Sequence, residues 1–243
     1  MRTLAKRAAA VLSGTALVVS GALVAASAPA SAAPTADRPV DVTKIRATNG
    51  IATYKSTSIN IAAARSVLSN VSYYSMKAGV YKGTRRLGTV TLYSSSGRGY
   101  LSFPTRWGRG TFRIKNVRIS GNFDSTGNYE RFNYVDTAPG GYFTVKSGIR
   151  ASGGIKYRYG STKKVARMKL TKFGTNGKWG AYKKKKVVLQ YKKGGWKKVK
   201  KLRTNKKGKV RYSFRMAKRH KYRFVVKPAA TVAGGKFPTS GKV

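Results

Sequence analysis

The stretch VVLQYKKGGWKKVKKLRTNKKGKVRYSFRM, residues 187–216, carries the clearest strand signal in the chain. Apolar residues alternate with charged ones, and alternate residues of a β-strand point to opposite faces of its sheet. Val187, Leu189 and Tyr191 therefore share one face of a predicted strand. Glycine supplies the positive φ that tight hairpin turns require. The turns predicted on this basis are Lys192–Gly195 and Asn205–Gly208.

The same alternation continues through GKVRYSFRM and HKYRFVVK. The side chains expected to face the core are Val210, Tyr212, Phe214, Met216, Tyr222, Phe224 and Val226. Trp196, which follows the first turn, is also predicted to lie in the core rather than to serve as a stacking platform. Lysine and arginine occupy the alternate positions and are expected on the outside.

Residues 40–147 show short apolar runs such as GTVTLYSS, GYLSF and GYFTVKS, spaced by roughly 8–12 residues as in β-sandwiches and barrels. In GTFRIKNVRIS, Phe112 and Ile114 share one face of a strand, whereas Val117 and Ile119 share the other. A bulge near Lys115–Asn116 would account for this change of phase. The run INIAAARSVL is predicted to be a strand rather than a helical turn, because of its β-branched neighbours.

Charge is distributed unevenly along the 243 residues, which include 52 Lys and Arg but only 5 Asp and Glu. Residues 148–243 contain 24 Lys, 8 Arg and no acid, whereas residues 39–147 contain 16 basic and 4 acidic residues. This asymmetry predicts two units with different surfaces. The glycine-rich segment SGIRASGG at 147–154 is placed at their boundary, so we expect domains at 40–147 and 148–243.

The first 32 residues have the pattern of a secretory signal peptide. A basic start precedes an apolar segment, and Ala30–Ala32 forms a small-residue cleavage site. Residues 33–39 are predicted to be a linker. Because the chain has no Cys, it has neither a lipoprotein anchor nor a disulfide framework. We expect a protein without a membrane span, secreted to the extracellular space and either free there or associated with the cell wall.

The run from Lys183 to Val226 resembles the Ig-like β-sandwich modules found, often in tandem, in secreted actinobacterial proteins. The matching features are V-x-L-Q, a glycine turn, W-x-x-V, a T-x-x-x-G turn and the closing Y-x-F and Y-R-F. The resemblance implies an all-β fold with two Ig-like β-sandwich domains in tandem after a cleaved signal peptide. It also implies a non-enzymatic extracellular module. This chain departs from the pattern in being far richer in lysine.

Few residues of the chain are suited to catalysis or metal binding. His220 is the only histidine, and its positive neighbours disfavour the imidazolium. Asp124, Glu130 and Asp136 cluster in GNFDSTGNYERFNYVD. The expected partners of these acids are Arg113, Arg118 and Arg131. Calcium binding by Asp124 and Glu130 stays open as an alternative, although Glu130 falls at loop position 9, where an EF-hand needs its glutamate at position 12. We predict no catalysis, no metal and no cofactor.

The density of lysine exceeds what solubility requires, since a net charge of magnitude about 2–8 suffices for a small domain. Like charges at this density destabilise the compact state, and a negatively charged partner would offset that. Lysine is a compact point charge, which suits contact with charge density rather than a defined chemical pattern. The lysines predicted to bind polyanions are Lys183, Lys184, Lys185, Lys186, Lys192, Lys193, Lys197, Lys198, Lys200, Lys201, Lys206 and Lys207.

The leading hypothesis is a secreted, non-catalytic cationic protein that adheres to anionic polymers without sequence specificity. Its candidate partners are anionic cell-wall polymer, extracellular DNA or other nucleic acid, and acidic polysaccharide. The alternative is a cationic antimicrobial or toxin-like protein acting on anionic membranes, although no amphipathic insertion helix is evident. A hydrolase using Asp124 or Glu130 is a third class. The oligomeric state stays open.

Overall fold

The computed structural model describes residues 38–124, 130–239, 241 and 243, which belong to one compact unit. The predicted signal peptide, residues 33–37 of the predicted linker and residues 125–129 of the candidate calcium loop lie outside this described part. Strands dominate the described residues, which include one short 3-10 helix at Thr105–Trp107. The predicted all-β class is confirmed.

Nine strands enclose the first hydrophobic core. They are β1 (Val40–Ala47), β2 (Gly50–Ala52), β3 (Ser56–Val67), β4 (Val71–Lys82), β5 (Arg85–Leu92), β6 (Arg98–Pro104), β7 (Gly110–Phe123), β8 (Arg131–Asp136) and β9 (Gly141–Ser147). One sheet has the order β1-β3-β6, and the other has the order β2-β9-β7-β4-β5, with β8 also on β7. Phe103 of the first sheet meets Phe112 of the second with ring centroids 4.7 Å apart, so the sheets pack face to face as a sandwich. All of the run INIAAARSVL except its last residue, Leu68, lies in β3, so the predicted strand is confirmed.

β7 contains the bulge that its sequence predicts. The register of β4 against β7 shifts by one residue there and leaves Asn116 without a paired residue. Asn116 has a φ of 56°, in the left-handed region that asparagine tolerates better than most residues. The apolar residues buried on the two sides of the bulge are Phe112, Ile114, Val117 and Ile119. The extra residue therefore lets two out-of-phase apolar pairs face the same core.

Replacing Asn116 tests whether the bulge depends on this backbone conformation. Asn116→Val should lower the free energy of unfolding by about 1–3 kcal/mol, because a β-branched residue is strained at positive φ. Asn116→Gly should lose less, since it gives up only the 3.1 Å hydrogen bond from Asn116 Nδ2 to the Tyr81 hydroxyl. Denaturant unfolding measures both. A valine variant as stable as the glycine variant would contradict the assignment.

Eight strands enclose the second hydrophobic core. They are β10 (Ile149–Tyr157), β11 (Lys163–Phe173), β12 (Trp179–Ala181), β13 (Lys186–Lys193), β14 (Gly195–Arg203), β15 (Lys209–Arg215), β16 (Tyr222–Val226) and β17 (Gly235–Pro238). One sheet has the order β10-β11-β12 with β15 on β11, and the other has the order β14-β13-β16-β17. Both contribute to one buried cluster, which makes a second sandwich. The Ig-like sandwich class is thus confirmed as an architecture of sheets packed face to face, whose strands are antiparallel except for the parallel β2–β9 pair.

Most of the predicted inward residues of the second part lie in this core. Those that are buried are Val187, Leu189, Val210, Tyr222, Phe224 and Val226. Those that are half-buried and pack against the cluster are Tyr191, Tyr212, Phe214 and Met216. Both predicted turns are present, with φ of 66° at Gly194 and 73° at Gly208.

A single residue, Gly148, connects the two sandwiches along the chain. Its N–H donates to the Ala52 carbonyl 2.8 Å away, and its own carbonyl accepts from the Phe173 N–H at 3.0 Å. Phe173 and Trp179 belong to the second sandwich by sequence but pack against the first core. Residues 149–154 of the predicted boundary segment lie in β10, paired with β11. The boundary is therefore a hydrogen-bonded junction, and the division into two domains stays a prediction.

Arg109 is the buried cation at this junction. Its Nε donates to Ser147 Oγ at 3.1 Å, its Nη1 to the carbonyls of Thr105 and Gly108 at 3.1 and 2.9 Å, and its Nη2 to Gly174 at 3.3 Å. Burial lowers the pKa of the Arg109 guanidinium. No carboxylate is among these partners, so neutral oxygens from both sandwiches solvate the charge.

Candidate functional site

The outer surface of the β11–β15 pair carries cations directly opposite one another. Three rungs of the antiparallel register match a cation with a cation. They are Lys163 with Arg215, Arg167 with Arg211, and Lys169 with Lys209. All six side chains are exposed. We call these six residues the ladder face.

The ladder face is electrostatically unfavourable. Directly opposed residues of an antiparallel pair have Cβ atoms about 4.5–5.5 Å apart, and like charges there are destabilising. No acid occurs anywhere in residues 148–243 to compensate. The Debye length is about 10 Å at 0.1 M salt. It exceeds the spacing of about 7 Å between the Arg167 and Lys169 rungs, so these two rungs are only partly screened from one another. A surface of this kind gains stability when an anion is placed over it.

Sequence reasoning did not find the ladder face. The alternation in Lys209–Arg215 predicted outward cations, and the structure confirms that orientation. Their partners in β11 lie 40 to 52 residues earlier in the chain, beyond any local pattern. The available signal was the run KKVARMK at 163–169, which repeats the alternation of basic and apolar residues.

The outer surface of the β14-β13-β16-β17 sheet forms a second basic area. The register places side chains of its four strands in common rows. The apolar members of these rows are Val188, Trp196, Val225 and Pro238. The cations on this side are Lys186, Lys192, Lys198, Lys201, Arg203, Arg223 and Lys236. We call these seven residues the lysine face. It contains four of the twelve lysines predicted to bind polyanions.

The other eight predicted lysines do not share that face. Those in the turns and at their edges are Lys183, Lys184, Lys193, Lys206 and Lys207, all exposed. Lys197 and Lys200 are exposed on edge strand β14 but pair with Tyr191 and Leu189 on the core side. Lys185 is half-buried, with its Nζ 5.5 Å from the centroid of the Tyr182 ring. The structure therefore divides the predicted set among several surfaces.

Trp196 does not lie in the core, so that prediction is wrong. The register of β13 against β14 shifts between Leu189 and Gln190 and leaves Val199 as an extra residue of β14. This bulge reverses the phase of the strand and turns Trp196 to the outer side of the sheet. There the Arg223 Cζ lies 4.0 Å from the Trp196 ring centroid, and Arg223 Nε donates to Gln190 Oε1 at 2.8 Å.

The position of Trp196 predicts a modest contribution to stability. Trp196→Ala should lower the free energy of unfolding by about 1 kcal/mol, the value of a partly exposed cation–π contact. Leu189→Ala should lower it by about 2–5 kcal/mol, because Leu189 is fully buried. Thermal or denaturant unfolding of both variants gives the comparison. Equal losses would show that Trp196 is a core residue after all.

The acids are placed differently from what the sequence predicts. Asp136 is fully buried and pairs with Arg38, whose Nη1 lies 2.9 Å from Asp136 Oδ1, rather than with the nearby arginines. Its carboxylate also accepts from the Val42 and Ala138 N–H groups at 3.3 and 3.1 Å. Asp124 and Glu130 are exposed. In the described part of the chain, no three His, Cys or acidic residues come close enough to hold a metal.

Lys164 is a second buried cation. It lies in β11 next to the core residues and is only 2% exposed. Burial lowers the pKa of the Lys164 amine, and the charge of Arg219 lowers it further. The amine faces an aromatic ring, with its Nζ 5.5 Å from the Tyr157 centroid. Here too a neutral group occupies the place that a carboxylate would normally take.

Removing charge from the ladder face should stabilise the protein at low salt. Arg167→Gln with Arg211→Gln eliminates one opposed rung and should raise the free energy of unfolding by about 0.2–1 kcal/mol. The gain should shrink as salt rises, because screening already weakens the repulsion. Thermal unfolding at several salt concentrations provides the measurement. A double variant that is less stable at every salt concentration would contradict the electrostatic account.

No protein-family model and no curated protein matches the chain. Similar solved structures include a marsupial T cell receptor, at 13% identity, covering 84% of this chain and 72% of that chain with a TM-score of 0.30. The teleost fish polymeric Ig receptor ectodomain matches at 8% identity over 80% of this chain and 96% of that chain, with a TM-score of 0.28. A Parabacteroides merdae β-glucuronidase matches at 9% identity and a TM-score of 0.25 over 81% of this chain, which spans only 25% of the glucuronidase. TM-scores of this size carry no argument about function.

Among the described residues, no helix has the length and apolar character needed to cross a membrane.

Proposed function

We propose that the chain is a secreted, non-catalytic protein that adheres to polyanions through the second sandwich. The supporting observation is the ladder face, where three rungs of opposed cations lie on one rigid strand pair without any acid in that part of the sequence. A bound polyanion would replace this repulsion with attraction. The lysine face provides a second basic surface on the opposite sheet of the same sandwich.

The geometry of both faces suits contact with the charged backbone of a polymer better than recognition of a particular chemical pattern. Side chains two residues apart on a strand are separated by about 6.6–6.8 Å. Each face is therefore an array of point charges on paired strands, interrupted by uncharged residues such as Val165 and Val188. Such arrays contact phosphate or carboxylate groups along a polymer but do not read base edges. The proposed ligands are therefore anionic cell-wall polymer, DNA or acidic polysaccharide, bound without sequence specificity.

The non-catalytic and extracellular parts of the proposal have separate support. Asp136, the buried acid, is occupied by Arg38 and backbone N–H groups, which leaves it no free role in proton transfer. Secretion is supported by the sequence of residues 1–32, and the module type is supported by the resemblance of Lys183 to Val226 to secreted Ig-like modules.

Binding to a double-stranded DNA fragment over a salt gradient tests the proposal. Engagement of 6–10 phosphates should reduce affinity by about 10³–10⁵ between 50 and 200 mM salt. Two fragments of different sequence should bind equally. A ladder variant with Arg167, Lys169, Lys209 and Arg211 changed to Gln should bind more weakly with a shallower salt slope. A lysine-face variant with Lys186, Lys192, Lys198 and Lys201 changed to Gln should do the same.

The matched control removes four exposed cations from the first sandwich. Lys44, Lys55, Arg85 and Arg131 changed to Gln give the same net charge as either face variant. This control should keep most of the affinity and the full salt slope. If it loses as much as the face variants, binding follows net charge alone and the proposed faces are wrong. Dye release from anionic vesicles at the concentrations that saturate DNA would instead support membrane action.

A further inference from the structure

The outer surface of the β1-β3-β6 sheet contains a groove of about 510 Å³. Its floor is Ala62, a small residue in the middle strand. Arg46 pairs with Ala62 from one side and Arg98 pairs with it from the other. Adjacent strands lie about 4.8 Å apart, so the two arginine Cα atoms are separated by about 10 Å across the groove. A small side chain between two long ones creates the depression.

Polar and aromatic groups complete the groove beside this row. Asn60 and Tyr100 form the next rung of β3 and β6. Tyr100 is 72% exposed and Tyr93 is 62% exposed, which is unusual for large aromatic residues. Both rings line the same groove as the two arginines. The surface thus combines two guanidinium groups, a side-chain amide and two accessible rings.

The turn that carries Tyr93 is held in place by its own hydrogen bonds. The Tyr93 N–H donates to the Arg98 carbonyl at 2.8 Å, and the Gly97 N–H donates to the Tyr93 carbonyl at 2.7 Å. Gly97 has a φ of 66°, and a Cβ there would lie 2.4 Å from the Ala63 carbonyl oxygen. The Ser94 carbonyl accepts from the Tyr74 hydroxyl at 2.7 Å. The backbone that carries Tyr93 is therefore fixed beside the groove.

Neither guanidinium group of the groove is paired with an acid in the described part of the chain. The ion pair found among the described residues is that of Arg38 with Asp136, which involves neither Arg46 nor Arg98. Guanidinium binds carboxylate in a bidentate manner, which lysine cannot do. An aromatic ring offers an apolar face that packs against the C–H face of a pyranose ring. Together these groups match a ligand that has both a carboxylate and a ring.

We infer that this groove binds an acidic sugar unit, with the carboxylate held by Arg46 or Arg98 and the sugar ring packed on Tyr100. The site differs from the basic faces of the second sandwich, because it recognises one carboxylated pyranose rather than a long polymer. It gives the first sandwich a ligand of its own, independent of polyanion adhesion.

Calorimetric titration with tri-galacturonic acid at 150 mM salt tests the inference. Arg46→Gln with Arg98→Gln should weaken binding by about tenfold or more, given the strength of charged hydrogen bonds. Tyr100→Ala should also weaken binding, although it leaves both arginines and the net charge of the protein unchanged. The matched control is Arg85→Gln with Arg131→Gln, which removes the same charge from the other sheet and should bind like the wild type. A neutral trisaccharide, maltotriose, should not bind.

Further measurements distinguish binding at the groove from binding at the ladder face and the lysine face. The lysine-face variant should keep its affinity for tri-galacturonic acid while losing affinity for DNA, and the groove variant should do the reverse. Inorganic tripolyphosphate tests whether charge alone suffices, and it should bind the wild type and the Tyr100→Ala variant equally. The inference is overturned if the wild type does not bind tri-galacturonic acid, or if Tyr100→Ala leaves that binding unchanged. It is also overturned if the control variant loses as much as the groove variant.

Discussion

Carboxylates are so scarce in this chain that its cations depend on neutral partners. Arg109 is buried at the junction and is solvated by carbonyl and hydroxyl oxygens. Arg150 lies 4.1 Å from the ring centroid of Trp179, and Arg223 lies 4.0 Å from that of Trp196. A ring attracts a cation by about 0.5–1 kcal/mol at an exposed site and by more where water is excluded. Aromatic residues therefore take over part of the role that acids play in most folded proteins.

The scarcity of carboxylates also determines which residues lie in the interior and which lie on the surface. A β-sandwich can place apolar residues inward and every cation outward, because its side chains alternate with a period of two. The described residues of the second sandwich follow that arrangement with few exceptions. Lys164 is buried, and Lys197 and Lys200 lie on the core side of edge strand β14. The repulsion that results has no internal compensation, so it is concentrated on the outer faces of the two sheets. A fold held by its core thus presents surfaces that are more stable with a partner than without one.

The sequence predicts the local features of this fold well and the long-range ones poorly. Alternation identified the buried side chains of β13 and β15, and the change of phase in β7 located the bulge at Asn116. Trp196 was misplaced because the bulge in β14 falls at Val199, and the lysine pairs on either side of Val199 give no sign of a phase change. The pairing of β11 with β15 and of Arg38 with Asp136 depends on residues far apart in sequence. The ladder face and the groove between Arg46 and Arg98 both arise from such pairings, so neither could be predicted from local patterns.

The lysines of edge strand β14 also affect how separate copies of the protein associate. An edge strand offers unpaired backbone groups that can hydrogen-bond to the edge of another copy, and charged side chains are a common means of preventing this. β14 carries Lys197, Lys198, Lys200 and Lys201, and among the described strands it is the outermost of its sheet. In the free protein their mutual repulsion keeps two such edges apart. A polyanion bound as proposed would neutralise them and remove that barrier, so such a ligand would also govern whether copies of the protein assemble into a continuous layer.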